Sequence, residues 1–328
     1  VGPRMGYRSL VVLPEEMSAE RFEMIRGYGA DVIATPGSES NVKEIYDKVR
    51  ELRVVPENRI LNQFEEFANY RFHFHCTAAA ALEAAEAIDT PIAAFVSAPG
   101  SAGTIAAAEA IKKRFPGAVT VAAEPRQCPT LYNAGFGAHR IEGIGDKHVT
   151  WIHNVWTTDL LICVDDGECL DGLQLLQEGT EVLEAEGVDG ELARSWVDLF
   201  GISSVCNILA AIRAARYYGF GPGQAVVTVA TDGFNRYPSV LRRLDAEQGP
   251  MDDHGARRRL SRFQEPGTWL LDGNHETRQR WHNQKYFTWV EQQGKDVADL
   301  RAQEDPSYWV AQQERIEETD RLIQEHRK

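Results

Sequence analysis

Gly100-Ser101-Ala102-Gly103-Thr104 sets two glycines and two hydroxyls in five residues, between the apolar run Ala93-Ala94-Phe95-Val96 and an alanine-rich stretch reaching Lys113. Glycine lets backbone approach a ligand closely, and Ser101 and Thr104 add hydroxyl donors. The helix that follows opens with unpaired N–H groups at the positive end of its dipole. Such a loop seats a phosphate. An ordinary strand-to-helix turn has the same composition, so the loop taken alone leaves both open. His73 and His75 stand two apart and would share one face of a strand. No third ligand accompanies them, and a zinc site needs three or four, so no metal is expected. The five cysteines, at 76, 128, 163, 169 and 206, are odd in number and form no C-x-x-C pair. They argue against a disulfide framework or structural zinc and read as small buried apolar residues.

The elements that must position these residues alternate. Residues 9–13 are a short apolar run suited to a buried parallel strand. Ser18 stands where it would cap a helix running to about residue 28, which Gly29 ends. Residues 31–35 make the next strand, Ser40 or Asn41 starts a helix through 52, and 60–64 read as a strand and loop. An alanine-rich helix over 77–88 leads to the strand before the glycine loop. Residues 119–123 and 160–164 are strands, 185–196 and 207–218 helices, and 225–230 a last buried strand. Residues 1–5 carry no recognisable opening element. The pattern predicts an α/β fold with a parallel sheet and right-handed crossovers.

Further motifs stand in a fixed order around the loop. Upstream are Leu13-Pro14-Glu15-Glu16-Met17-Ser18, Gly27-Tyr28-Gly29-Ala30-Asp31-Val32 and Asn62-Gln63-Phe64. Downstream are Val119-Thr120-Val121-Ala122-Ala123-Glu124-Pro125, Glu142-Gly143-Ile144-Gly145 and Gly201-Ile202-Ser203-Ser204. The ordered set, over roughly residues 5 to 245, resembles the cysteine synthase group of pyridoxal-phosphate (PLP) enzymes, the tryptophan synthase β or fold type II class. The resemblance implies two parallel-type α/β domains, here followed by a mostly helical C-terminal extension. The cofactor it implies is pyridoxal 5′-phosphate, with Gly100, Ser101, Ala102, Gly103 and Thr104 around the phosphate, Gly143 beside the cofactor, and Ser203 on the pyridine nitrogen. Ser203 also stands where it would cap the 207–218 helix. A hydroxyl partner leaves that nitrogen largely unprotonated. Gln63 matches the glutamine that helps bind the substrate carboxylate, and Lys147 and His148 fall in a segment expected to set specificity. Two departures stand out. Ala102 replaces a family glycine, which is tolerable if its φ stays negative, and Val205 replaces a smaller residue.

The lysine that would form the Schiff base is not evident. Lysines stand at 43, 48, 112, 113, 147, 285, 295 and 328, none in the family's lysine context. In relatives that lysine and the substrate-carboxylate loop precede the equivalent of Gly6-Tyr7, so both are expected upstream of Val1, cleaved, disordered or supplied as a separate N-terminal polypeptide. Lys147 is the only candidate next to the cofactor loops. The resemblance implies β-replacement or β-elimination on a serine or cysteine derivative through an aminoacrylate. An amino acid deaminase or C–S lyase is the alternative within the enzymes, and a lysine-less regulatory or scaffold subunit the alternative outside them. A nucleotide-binding Rossmann protein lacks its Gly-x-Gly-x-x-Gly loop with an acidic residue some twenty positions on.

Composition narrows the partners. With 43% hydrophobic residues the 328-residue chain can bury a proper core, and a net charge of −14 argues against nucleic acid. No stretch is long and apolar enough for a membrane span, and no charged-then-apolar leader opens the chain, so a cytoplasmic protein is expected. The organisation expected is a small substrate-binding domain over 1–76, a large PLP-binding domain over 77–245, and an extension over 246–328 for docking or oligomerisation. That extension places Trp269, Trp289 and Trp309 in polar sequence, and these aromatics should be buried against the body or a second subunit. Trp309, Ile316 and Ile323 repeat every seven residues, and Glu317 with Arg321 makes a favourable helical pair. The resemblance implies a homodimer.

Overall fold

The computed structural model describes residues 1–37 and 41–326. Ser40 therefore lies outside the described residues. Six elements that sequence predicts as strands are strands: β1 (Leu10–Pro14), β2 (Asp31–Thr35), β3 (Ile92–Ser97), β4 (Val119–Pro125), β5 (Leu160–Val164) and β6 (Ala225–Thr228). A short β7 (Leu270–Asp272), which sequence does not predict, completes the set. β1 and β2 form a parallel two-stranded sheet with Leu10 opposite Asp31. The larger sheet runs β6-β3-β4-β5-β7, its first four strands parallel and β7 antiparallel to β5. The central strands are mostly apolar because helices cover both faces, with Ser97, Thr120 and Glu124 as buried polar exceptions. Val96, Val121, Ala122, Leu161 and Ile162 are fully buried.

Several elements differ from expectation. Residues 60–64 form no strand. Asn62 instead closes a local turn, its Oδ1 accepting from Phe64 N at 3.1 Å and its carbonyl accepting from Glu66 N at 3.0 Å. His73 and His75 lie within continuous helix, on the wide turn His73–Thr77 between Phe67–Phe72 and Ala78–Ala87. They do not share a strand face. His73 Nδ1 lies 2.7 Å from Thr77 Oγ1, His75 Nε2 donates to the Gln313 carbonyl at 2.9 Å, and no metal-binding cluster exists among the described residues. The 185–196 helix is two short ones, Thr180–Ala185 and Gly190–Ser195, and the 207–218 helix begins at Ile202. Residues 1–5, without an expected element, contain a single 3-10 turn, Pro3–Met5. Cys128, Cys163, Cys169 and Cys206 are buried thiols, while Cys76 is exposed.

The extension packs back on the body. Trp289 and Trp309 are 0% and 2% exposed, as is Trp281 at 0%, whereas Trp269 is only partly buried, lying against Tyr132 and Arg126. Each buried indole N–H finds a carbonyl, Trp281 on Leu131, Trp289 on Val149 and Trp309 on Gln303. The seven-residue stripe does not continue, because the helix breaks at Arg315 and Ile323 is 46% exposed. Glu317 and Arg321 do not pair either. Arg315 takes Glu318 and Arg321 takes Glu325.

A buried polar clamp holds the last helices. Gln313 Nε2 donates to Glu109 Oε2 at 3.1 Å and Tyr70 Oη at 2.9 Å, and its Oε1 accepts from Lys113 Nζ at 2.8 Å. Gln313→Ala strands these partners, so it should lower stability by about 1–3 kcal/mol, read as the urea midpoint. An unchanged midpoint would show that the clamp contributes nothing net.

Candidate active site

In the larger sheet the chain passes from β3 to β4 to β5 on one side, then returns to place β6 on the other side of β3. The order reverses between β3 and β6, and the crevice outside the carboxyl ends of strands at such a point is where open α/β sheets bind ligands. β3 runs into Ala98–Thr104 and β6 into Thr231-Asp232. Asn207 staples the two exits: its Oδ1 accepts from Ala98 N at 2.7 Å and its Nδ2 donates to the Val229 carbonyl at 2.8 Å.

On the β3 side the expected phosphate loop is an anion cradle. Ala102 has φ +65°, so the condition placed on it fails: the residue keeps the left-handed conformation that a glycine takes easily. An alanine there costs about 1 kcal/mol. Gly103 follows in the right-handed region, and such alternation turns successive N–H groups toward one point. Among the described residues the N–H groups of Ser101, Ala102 and Thr104 have no acceptor. Ser101 Oγ accepts from Asn69 Nδ2 at 2.9 Å, which leaves its own proton free. The glycines are needed for protein contacts. A Cβ on Gly100 would meet the Gly143 carbonyl oxygen at 2.6 Å, and one on Gly103 would meet Asn69 Oδ1 at 2.2 Å.

On the β6 side Ser203 occupies the first turn of helix Ile202–Tyr218, whose N-cap is Gly201 without any side-chain cap. Ser203 is therefore not the cap. The residue is buried, 3% exposed, its hydroxyl donating to Asp232 Oδ1 at 2.9 Å and lying 2.6 Å from Thr231 Oγ1. Tyr237 donates to Asp232 Oδ2, and burial beside that carboxylate pushes the phenol up. Val205 is fully buried in the core.

Gly143 has φ +90° and is exposed, in a loop held by the residue before it. Glu142 accepts from Ser18 N at 2.8 Å, Ser18 Oγ at 3.0 Å and Arg21 Nε at 3.1 Å. Ser18 thus serves Glu142 and makes no side-chain cap of its helix, Ala19–Gly27.

The expected substrate residues divide. Gln63 is exposed, its carbonyl accepting from Asn69 Nδ2 at 3.0 Å, so Asn69 ties the Gln63 loop to Ser101. Lys147 Nζ donates to Asn41 Oδ1. His148 packs edge-on against Tyr46 and Phe64, with Nε2 3.0 Å from Tyr46 Oη. The residue is partly exposed but its Nδ1 is buried and unpartnered, and burial holds the imidazole down at about 4. Sequence reasoning missed Asn69, Asn207, Thr231 and Asp232. Asn207 and Thr231-Asp232 are visible in sequence only as polar residues where elements begin or end.

Residues 1–232 match the family described as pyridoxal-phosphate dependent enzyme. The chain is 32% identical over 236 residues to the cysteine synthase of Staphylococcus aureus (strain N315), covering 72% of this chain and 69% of that one. It is similar to the crystal structure of the O-acetylserine dependent cystathionine beta-synthase from Helicobacter pylori, at 26% identity and TM-score 0.58, over 73% of this chain and 71% of that chain. A hydrogen sulfide-producing enzyme from Fusobacterium nucleatum, 23% identical with TM-score 0.62 over 83% and 75%, shares the fold.

Proposed function

The chain belongs to the pyridoxal-phosphate dependent enzymes, and we propose that it holds the cofactor across the β3–β6 crevice, phosphate in the Gly100–Thr104 cradle and ring nitrogen on Ser203. The cofactor is pyridoxal 5′-phosphate. The reaction is β-replacement or β-elimination on a serine or cysteine derivative, as its cysteine synthase relatives support. Bound there, the cofactor supplies an electron sink for the carbanion formed at the substrate α-carbon.

The residues fit that group. The free N–H groups of Ser101, Ala102 and Thr104 suit a phosphate dianion, and the left-handed Ala102, held despite its Cβ, supports a conformation kept for a ligand. Exposed Gly143 leaves an open face beside the ring, and exposed Gln63 stands at the substrate side, tied to the phosphate loop through Asn69. Lys147 and His148 sit at the border of that pocket: Lys147 fixes the loop to Asn41, and His148 forms an apolar wall with Tyr46 and Phe64. The observation that carries the assignment is the anion cradle, with three N–H groups left over at the β3 exit beside the switch point. With PLP, O-acetylserine and sulfide, the protein should form cysteine. Keto acid and ammonia alone would favour the deaminase or C–S lyase, and no turnover the scaffold. Ser203→Ala should leave the circular dichroism unchanged and slow α-proton exchange about tenfold, the worth of one hydrogen bond. An unchanged exchange rate would remove Ser203 from the ring.

We place the Schiff-base lysine outside the seven described lysines. Lys112 pairs with Asp159 and Lys295 with Glu65, Lys113 donates to Gln313, Lys43 and Lys48 hold helix-surface carboxylates, and Lys147 holds Asn41. Lys285 is fully buried, its ammonium held by the carbonyls of Trp151 and His153 and by Gln303 Oε1. A segment upstream of Val1, or a separate polypeptide, would supply the lysine. Borohydride reduction and peptide mapping test this; a label on Lys147 or Lys285 would overturn it. Free Cys76, Cys128, Cys163, Cys169 and Cys206 support a reducing, cytoplasmic setting, and we propose a homodimer, which sedimentation tests.

A further inference from the structure

Between the helix Phe67–Phe72 and the last two helices, Pro306–Glu314 and Ile316–His326, lies a cavity of about 300 Å³, the lower end of the range that small-molecule sites occupy. None of its wall belongs to the cofactor assignment. Two ion pairs on that wall are complete within the protein. Arg315 donates to both Glu318 oxygens, at 2.8 and 3.1 Å, and Glu65 takes Lys295 at 2.8 Å. Two charges are left over. Among the described residues Arg71 makes no hydrogen bond or ion pair, and its Nη1 is buried. Burial holds that guanidinium down from its ordinary value, and the charge on Arg315 adds to this. Glu66 keeps an exposed carboxylate that no described cation pairs with. Gln312 Oε1, on the same wall, is a buried acceptor without a partner.

We propose that this cavity binds a free α-amino acid with an apolar side chain. A zwitterion has one carboxylate and one ammonium, and the wall has one unpaired cation and one unpaired carboxylate. Arg71 would take the ligand carboxylate through its planar fork. Gln312 Oε1 and Glu66 would take the ammonium. Phe67 and Tyr308, edge to face with ring centroids 5.9 Å apart, give the side chain an apolar wall together with Leu322, which is 51% exposed. A simple anion such as phosphate would satisfy Arg71 but bring a like charge up to Glu66, which disfavours it. The site touches the catalytic half through one turn. Glu65 and Glu66 donate their N–H groups to the Asn62 carbonyl at 3.2 and 3.0 Å, closing the turn that carries Gln63. A ligand held by Glu66 would brace that turn. Binding is independent of the cofactor reading; an effect on turnover rests on the reading of Gln63 as a substrate residue.

Calorimetry of the 1–328 chain with L-leucine should show a saturable site. L-Leucinamide, which lacks the carboxylate, and isocaproate, which lacks the ammonium, should each bind about tenfold more weakly, and inorganic phosphate should not displace leucine. Arg71→Gln should weaken leucine about tenfold or more, with Arg71→Lys in between. Leu322→Asp, at an exposed position, should weaken it too and covers the case in which Arg71→Gln fails to fold. Saturating leucine should slow amide hydrogen exchange across residues 62–66. No saturable binding of leucine, or binding indifferent to the folded variants, would overturn the site. Equal affinity for leucine and isocaproate, or displacement by phosphate, would overturn the amino acid in favour of a simple anion. Unchanged exchange at 62–66 with leucine bound would overturn the link to the Gln63 turn. None of these results bears on the cofactor reading, which cysteine formation and Ser203→Ala test.

Discussion

Gly100→Val is expected to weaken binding of 4′-deoxypyridoxine 5′-phosphate, an analogue that keeps the phosphate and lacks the aldehyde, by about a hundredfold, to the edge of detection in a fluorescence titration. The added Cβ would stand 2.6 Å from the Gly143 carbonyl oxygen and 3.6 Å from Ile144 Cα. Both are backbone and cannot rotate away, so the β3 exit and the Gly143 loop must separate. Overpacking of this kind costs about 1–3 kcal/mol, and all of it falls on two loops that face the ligand. Gly103→Ala is the control. Its Cβ would meet Asn69 Oδ1 at 2.2 Å, the end of a side chain that can swing aside. The loss is the Asn69 bonds to Ser101 and the Gln63 carbonyl, about tenfold in affinity. Full retention of affinity in Gly100→Val, or the reverse order of the two variants, would contradict this account. Sequence predicts that these glycines let the protein backbone approach a ligand closely. The structure assigns them to each other's neighbours, with the ligand served by the N–H groups left over.

What was legible followed from periodicity and from residues whose role is local. β3, β4 and β5 are largely apolar runs that a doubly covered parallel sheet hides, and sequence predicts all three. Residues 60–64 have similar apolar content, yet Asn62 spends its side chain and carbonyl on a turn, and local side-chain bonds outcompete a strand that has no neighbour. The helix Ile202–Tyr218 starts five residues before its expected start because Ile202, Ser203, Ser204 and Val205 are poor helix formers individually. Tertiary bonds settle the matter: Ser203 and Ser204 both reach Asp232, 28 or 29 positions away. Asp232 itself reads as a turn residue before Gly233. Nothing within a window of sequence says that β6 will lie beside β3, and that pairing is what turns a turn aspartate into the third party at Ser203. The same holds for Asn69, 32 positions from Ser101.

Acidification is expected to unfold the protein between about pH 6.5 and 4, and the sign is set by two opposed groups of buried residues. His139, His148 and His282 are held down at about 4 and His153 at about 3, in each case chiefly by burial, with the Lys285 ammonium adding to it at His153 and His282. Among the described residues His153 Nε2 has no partner, and the one carboxylate paired with His282 is Glu304 at 3.5 Å. These groups are neutral in the folded state, so the stability they contribute is present above the unfolded histidine value near 6.5 and is lost as pH falls toward the folded values. Glu109 and Glu124 act the other way. Burial raises both to about 7, against donors from Tyr70 and Asn154 on the first and the Leu131 and Tyr132 N–H groups on the second. Their contribution is fully present at low pH and lost as pH rises from the unfolded value near 4.5 through 7. Among these six groups, at pH 5.5 the unfolded chain holds about four histidine protons that the folded chain lacks, and the folded chain holds about two carboxyl protons that the unfolded chain lacks. The unfolded state is ahead by about two protons, so stability falls by about 2.7 kcal/mol per pH unit on acidification. Near pH 7 the two groups cancel and the curve is flat. Melting temperatures from pH 4 to 8 should show a steep acid limb and a plateau, and His153→Gln, which removes one of the four protons, should halve the limb's slope at pH 5.5 if it folds. Stability that rises as pH falls through 6 would mean the carboxyls dominate and the histidines find partners on protonation.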